Sequence, residues 1–274
     1  MTIGEVLRRS AQHLGGKSCE TPRLDAERLL EHALGLSRIE LYMYADRPLT
    51  PVELDAVREL VARRARREPL QYVLGEWGFR RLTLAVDPRA LIPRPETETL
   101  VERALARLAE RRSPRVLDAG TGSGAVALAI ADEHPGARVT GIDVSPEALA
   151  LAAENVARTG LRIELANHDF LTGLPPGPWD AVVSNPPYVR RGELRELEPE
   201  VRDWEPRVAL VSEEAVDALV GGARAVLAPG GWLLLEVGDG QAAAVVAALE
   251  REGYREPRVT DDLAGRPRVV EASA

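Results

Sequence analysis

Two short segments of the chain hold most of the residues that can do chemistry. The first is Val116-Leu117-Asp118-Ala119-Gly120-Thr121-Gly122-Ser123-Gly124, where an apolar run ends in an acidic residue and three alternating glycines. Small side chains there let a ligand approach the backbone, and a helix starting at that point offers free N–H donors. The Gly-x-Gly-x-Gly spacing differs from both the dinucleotide fingerprint and the phosphate loop, which argues against NAD and ATP. About twenty residues further on, Asp143 ends Gly141-Ile142-Asp143, where a carboxylate at a strand end can accept both hydroxyls of a ribose. The same Asp143 can instead cap a helix starting near Pro146. Asp169-Phe170 adds a carboxylate acceptor and an apolar ring, a pair suited to adenine.

The second segment is Ser184-Asn185-Pro186-Pro187-Tyr188. Two prolines stiffen the backbone, and the carbonyls beside them have no neighbouring N–H competing for them. The Asn185 side-chain oxygen and one such carbonyl can accept both hydrogens of a planar NH2 group, while Tyr188 covers its face. His13, His32, His134 and His168 show no metal-ligand spacing, so no metal site is expected.

Positioning these residues requires strands that end at them. Strand-like runs fall at Arg115–Ala119, Arg138–Asp143, Ile163–Ala166, Ala181–Ser184, Trp232–Val237 and Arg268–Glu271. Helical stretches lie between them near Gly124–Glu133, Pro146–Thr159, Glu214–Leu227 and Gln241–Glu252. This alternation predicts an α/β fold with a mostly parallel sheet covered by helices on both faces. Thr97, Leu100, Val101, Ala104, Leu105 and Leu108 mark an amphipathic helix just before the first of these strands.

From Thr2 to Leu74 the pattern is helical. Gly15-Gly16 closes a first helix, and Thr21-Pro22 opens a second as cap and first-turn proline. Ser37 to Glu40 and Thr50 to Glu53 read as capping boxes. Phe79, Leu82, Leu84 and Val86, with Pro88, Pro93 and Pro95 after them, suggest a β-hairpin linker. The expected organisation is a helical domain over 1–74, a hairpin linker over 75–95 and an α/β domain over 96–274.

At 274 residues the chain is long enough for two domains, and 28% charged residues describe an ordinary globular protein. No run of 18 or more apolar residues is present, so no membrane span is expected, and the chain reads as cytoplasmic. Cys19, the single cysteine, excludes an internal disulfide. The net charge is −8, of which the residues after Leu70 carry −9, and that argues against stable nucleic-acid binding. Arg63-Arg64-Ala65-Arg66-Arg67 is the one basic run, read as a solvated face at a helix C-terminus.

With the glycine turn, the second-strand aspartate and Asn-Pro-Pro-Tyr in this order, the chain resembles the class I S-adenosylmethionine-dependent methyltransferases that methylate planar NH2 groups. More narrowly, it is similar to the HemK-like release factor glutamine methyltransferase family. That likeness rests on Gln71 to Gly75, Leu91 to Glu98, Asp118 to Ala127 and Val183 to Tyr188, and it extends over the whole chain. It implies a Rossmann-like methyltransferase sheet preceded by a helical-bundle domain. It also implies S-adenosylmethionine as methyl donor, with S-adenosylhomocysteine as product. Donor contacts are implied for Gly120, Thr121, Gly122, Ser123, Gly124, Asp143, Asp169, Phe170 and Asn185. Asn185, Pro186, Pro187 and Tyr188 would hold the substrate, with Asn185, Pro186 and Tyr188 carrying catalysis. The implied substrate is the glutamine of the Gly-Gly-Gln loop of class I peptide chain release factors, which the helical domain helps to dock. After Ala209-Leu210 the family carries a glycine-rich acidic run, and here Val211-Ser212-Glu213-Glu214-Ala215 stands instead.

An amide nitrogen is a poor nucleophile because its lone pair is delocalised into the carbonyl. Two acceptors, Asn185 and the Pro186 carbonyl, can polarise its N–H bonds and aim it at the sulfonium methyl. The leaving group is neutral, and the product proton can depart to water. The exocyclic amine of adenine or guanine presents the same donor pair and is the alternative substrate. A non-catalytic protein docking to a ribosomal partner is a further alternative.

Overall fold

The computed structural model describes residues 1–274, which form two compact units. One comprises Met1–Gly75 with Glu198–Trp204, and the other Glu76–Leu197 with Glu205–Ala274.

The first unit contains α1 (Ile3–Gly15), α2 (Pro22–Leu34), α3 (Arg38–Met43), α4 (Pro51–Ala65) and α5 (Leu70–Leu74). Thr2, Ser37 and Thr50 each cap a helix reciprocally with a glutamate three residues on, satisfying amides that a helix start leaves open. Thr21 does not cap α2 with its side chain: its hydroxyl donates instead to Asp25 at 2.7 Å. Ile3, Leu14, Ala26, Leu29, Leu30, Leu41 and Val57 form the core.

The arginine run corrects the reading of a solvated face. Arg64 is only 5% exposed, with its guanidinium bonded to Asp25 at 2.7 Å and to Glu200 at 2.8 Å. Arg67 also bonds Glu200, and Arg63 bonds Glu68. These ion pairs place the short helix Pro199–Trp204 in the first unit, although the sequence reading had kept the whole of 96–274 together.

The second unit begins with the hairpin β1 (Glu76–Phe79) and β2 (Leu82–Ala85), then α6 (Glu98–Leu108). The alternating part follows: β3 (Arg115–Ala119), α7 (Ala125–Glu133), β4 (Arg138–Asp143), α8 (Pro146–Thr159), β5 (Glu164–Asn167) and β6 (Trp179–Ser184). After α9 (Pro199–Trp204) and α10 (Arg207–Leu210) come α11 (Ala215–Val226), β7 (Leu227–Glu236), α12 (Ala242–Arg251), β8 (Arg255–Asp261) and β9 (Pro267–Ser273).

The sheet order is β5-β4-β3-β6-β7-β9-β8, parallel from β5 through β7, with β9 antiparallel to both β7 and β8. Strand β8 was not anticipated. Its sequence, Arg255-Glu-Pro-Arg-Val-Thr-Asp261, is polar and mostly exposed, as suits an edge strand.

Alternation along the strands divides the core into two faces. Val116, Ala181, Val183 and Leu234 pack with α6 and α7, whereas Leu117, Val182, Leu233 and Leu235 pack with α11 and α12. The chain leaves β3 toward β4 on one side and returns through β6 on the other, so the connections beyond these strand ends diverge and open a crevice.

Candidate active site

A cleft of about 1140 Å3, counting the space open to solvent, lies at that divergence. Its floor is the turn after β3. Gly120, Gly122 and Gly124 have φ of 78°, 56° and 83°, a left-handed conformation that glycine adopts without steric penalty. The first amides of this turn are spent within the fold. Gly120 and Thr121 N–H both donate to the Ile142 carbonyl at 2.8 Å, and Gly122 N–H donates to Asp143 Oδ2 at 2.8 Å. These bonds tie the turn to the end of β4.

Close approach makes that tie possible. A Cβ on Gly141 would stand 2.7 Å from Thr121 Oγ1. The Thr121 hydroxyl donates to Asp118 at 2.7 Å, and Ser184 at the end of β6 donates to the Ala119 carbonyl at 2.6 Å. Asn155 of α8 bonds the Ser123 carbonyl at 2.9 Å and both backbone groups of Ala85, linking the turn to the hairpin.

Asp143 lines the cleft, and its second oxygen accepts the Ser145 N–H at 2.9 Å. The cap of α8 is Ser145, whose hydroxyl accepts from Ala148 N–H. Asp143 therefore braces the glycine turn while keeping lone pairs toward the cleft. Burial raises its carboxyl above the ordinary value, with the backbone N–H groups of Ser145, Gly122 and Val144 opposing.

Gly120, Thr121, Gly122, Ser123, Asp143, Asp169, Phe170, Asn185 and Pro187 all line the cleft. The Phe170 ring lies over the turn, 3.6 Å from where a Gly120 Cβ would be, and Asp169 fixes its loop by accepting the Leu171 N–H at 2.9 Å. Gly124, Pro186 and Tyr188 are not among the lining residues. Gly124 caps α7, against Ala152 and Leu128. Tyr188 packs on Gly238, where an added Cβ would meet its ring at 2.9 Å, and its carbonyl accepts from Gln241 at 3.0 Å. Burial pushes the Tyr188 hydroxyl up to about 12, so it stays protonated at neutral pH.

Asn185 donates from Nδ2 to Thr97 Oγ1 at 3.2 Å, and its carbonyl oxygen has no partner in the chain. The opposite wall is built from Ala90 to Arg94 and from Pro206, Val208, Ala209, Val211 and Ser212. This second segment, where Val211 departs from the glycine-rich run, is held by Val189 N–H donating to the Leu210 carbonyl at 2.9 Å.

Three residues of the site, Asp118, Arg94 and Glu236, were given no role of their own in the sequence. Asp118 lines the cleft, and burial pushes its carboxyl up to about 7, with Thr121 opposing. Its place at the end of an apolar strand was the available signal. Arg94 lines the cleft and pairs with the buried Glu205 across a long sequence separation, which no local pattern shows. Glu236, at the end of β7, is buried beside Thr97.

Comparison with known proteins agrees with this geometry. Residues 5–75 match the PrmC N-terminal domain, and residues 97–198 match the methyltransferase small domain. A release factor glutamine methyltransferase of Geobacter sulfurreducens is 45% identical over 276 residues, covering 98% of this chain and 95% of that protein. That of Deinococcus radiodurans is 42% identical over 278 residues, covering 99% and 98%. In fold, the chain is similar to a Thermus thermophilus 16S rRNA N2 G1207 methyltransferase structure at 21% identity, with a TM-score of 0.53 over 72% of this chain and 49% of that one. Near-full-length identity at this level is not reached by fold likeness alone, and this chain belongs to the release factor glutamine methyltransferase family.

Proposed function

We propose that the protein transfers a methyl group from S-adenosylmethionine to the side-chain amide nitrogen of the glutamine in the Gly-Gly-Gln loop of class I peptide chain release factors, in the cytoplasm. The observation that carries this reading is one cleft lined by both a glycine turn braced by Asp143 and an asparagine whose carbonyl oxygen is uncommitted.

The residues present fit the donor. Gly120, Thr121, Gly122 and Ser123 give a floor without bulk; Asp143 offers lone pairs to ribose hydroxyls; Asp169 and Phe170 offer an acceptor and an apolar ring to adenine. Asp118 adds a buried carboxylate to face the donor's positive charge. Bound there, S-adenosylmethionine supplies an electrophilic methyl and departs as a neutral thioether.

Asn185 and the Pro186 carbonyl accept the two amide hydrogens of the substrate, draw electron density onto its nitrogen and hold it in line with the methyl. Tyr188, packed on Gly238, stiffens the backbone that presents these acceptors. Once alkylated, the nitrogen releases its proton to water. The helical first unit docks the protein substrate.

The test is incubation of the chain with methyl-labelled S-adenosylmethionine and an intact class I release factor, followed by mass spectrometry of the digested product. One methyl on the glutamine of the Gly-Gly-Gln loop is expected. Label confined to any other residue, or none at all, overturns the proposal.

A further inference from the structure

Two consecutive prolines stiffen a chain locally but leave it no N–H groups by which to be held. The pairing of β6 with β7 ends at Ser184, opposite Leu235, so the acceptors of Asn185 and Pro186 stand beyond the ladder. Their placement depends on what grips the segment from the side. Ring closure fixes φ of Pro186 and Pro187, and the second proline restrains ψ of the first to extended values. The torsions left between the Pro186 carbonyl and Val189 are ψ of Pro187 and both torsions of Tyr188.

We propose that Gln241 is a positioning residue for the transfer: its side chain clamps the Tyr188 peptide to the turn after β7 and so holds the Pro186 carbonyl and Asn185 in their accepting geometry. The inference rests on the reading of these two groups as the amide acceptors. Gln241 Nε2 donates to the Tyr188 carbonyl at 3.0 Å, and Gln241 Oε1 accepts from Gly238 N–H at 3.1 Å. The partners settle which end of this amide is which, since a backbone N–H can only donate and a carbonyl can only accept. Gln241 does not line the cleft, so it acts through Tyr188 and not on the reactants.

The anchor is itself held on both sides. Val237 N–H donates to the Arg268 carbonyl at 2.9 Å, Arg268 Nη1 donates to the Val237 carbonyl at 3.2 Å, and Gln241 N–H closes the turn on the Gly238 carbonyl at 3.2 Å. An added Cβ on Gly238 would stand 2.9 Å from the Tyr188 ring, so the ring has no room to slide toward the turn. That contact and the Gln241 bond restrain the Tyr188 torsions. On the far side, Val189 N–H donates to the Leu210 carbonyl at 2.9 Å. The prolines supply stiffness, and Gln241 ties the stiff segment to the sheet.

The test is single-turnover methylation of an intact release factor at saturating donor and substrate, at a temperature where circular dichroism shows each variant folded, with S-adenosylmethionine affinity titrated separately. Gln241→Leu keeps the approximate size and removes both hydrogen bonds. Its rate should fall about three- to ten-fold, the range of one neutral hydrogen bond, with donor affinity within about two-fold of the wild type. Gln241→Glu gives a signature that lost packing would not. Ionised, it accepts from Gly238 N–H but repels the Tyr188 carbonyl; protonated, it donates to that carbonyl. Its rate relative to the wild type at the same pH should be several-fold low at about pH 8 and recover toward about pH 5, whereas the ratio for Gln241→Leu should stay flat. Should Gln241→Leu not fold, Gln241→Glu takes its place. A wild-type rate in Gln241→Leu, or in Gln241→Glu at the higher pH, overturns the clamp. So does a Gln241→Glu deficit that ignores pH, or a rate loss matched by an equal loss of donor affinity. Failure of the underlying reading is distinct: Asn185→Ala alone would then retain the wild-type rate.

Discussion

Replacing Asp143 by alanine separates two jobs that one carboxylate performs. Its oxygens accept the Gly122 and Ser145 N–H groups at 2.8 and 2.9 Å, so the first job is bracing the turn on which the donor rests. Hydrogen bonds to a charged acceptor are worth about 1.5–3 kcal/mol each, which would sum to roughly 3–6 kcal/mol. Two effects reduce that total. The side chain is only partly buried, so water can reach the freed amides, and the desolvation that raises its carboxyl is relieved when the group is removed. A net stability loss of about 2–3 kcal/mol is expected. The second job, accepting ribose hydroxyls, adds at least a ten- to hundred-fold loss of S-adenosylmethionine affinity, about 1.4–2.8 kcal/mol. Denaturant unfolding without donor measures the first and calorimetric titration the second. An unchanged unfolding midpoint would refute the bracing role, and unchanged donor affinity would refute the ribose role.

Three further outcomes follow from the geometry. Arg64→Ala leaves Asp25 and Glu200 without their shared buried cation, so denaturant unfolding should show a loss of about 3–5 kcal/mol; a loss below about 1 kcal/mol would contradict its place in the core. Gly141→Ala drives a Cβ into Thr121, so thermal melting and donor titration should both show a weakened protein, and normal values would contradict the tight packing of the turn. Asp118, pushed up to about 7, should make donor affinity rise with pH through neutrality, because a positively charged donor favours the ionised form; Asp118→Asn should flatten that dependence in calorimetry. Since the folded value lies above the ordinary carboxyl value, the same group stabilises the donor-free chain at low pH. That contribution should decline as pH rises from about 4 through 7.

Much of the fold was legible because strand and helix periods alternate cleanly after residue 114. Val116 and Leu117 go to opposite faces of the sheet, as a period of two demands, and the runs of apolar residues end where the strands end. The glycine turn and Asn-Pro-Pro-Tyr were visible because their chemistry is local: positive φ needs glycine, and two prolines restrict a backbone. Long-range polar pairing left no such trace. Arg64 looked like one of four surface arginines, yet its partners are 39 and 136 positions away. Thr97 showed in the sequence as part of an amphipathic helix and of the Leu91 to Glu98 segment, and its hydrogen bond to Asn185 spans 88 positions. Edge strand β8 escaped for a related reason, since an exposed strand need not carry the apolar alternation that marks a half-buried one.

The central claim is that Asn185 clamps the reacting amide. Single-turnover methylation of an intact release factor by Asn185→Ala, with donor affinity measured in parallel, addresses it most directly. Removing one preorganised hydrogen-bonding group from a reacting centre should slow the step by about 10²–10³, roughly 2.7–4 kcal/mol of barrier, and leave S-adenosylmethionine affinity nearly intact. A rate within a few-fold of the wild type would contradict the clamp, and a parallel loss of donor binding would assign Asn185 to the donor instead.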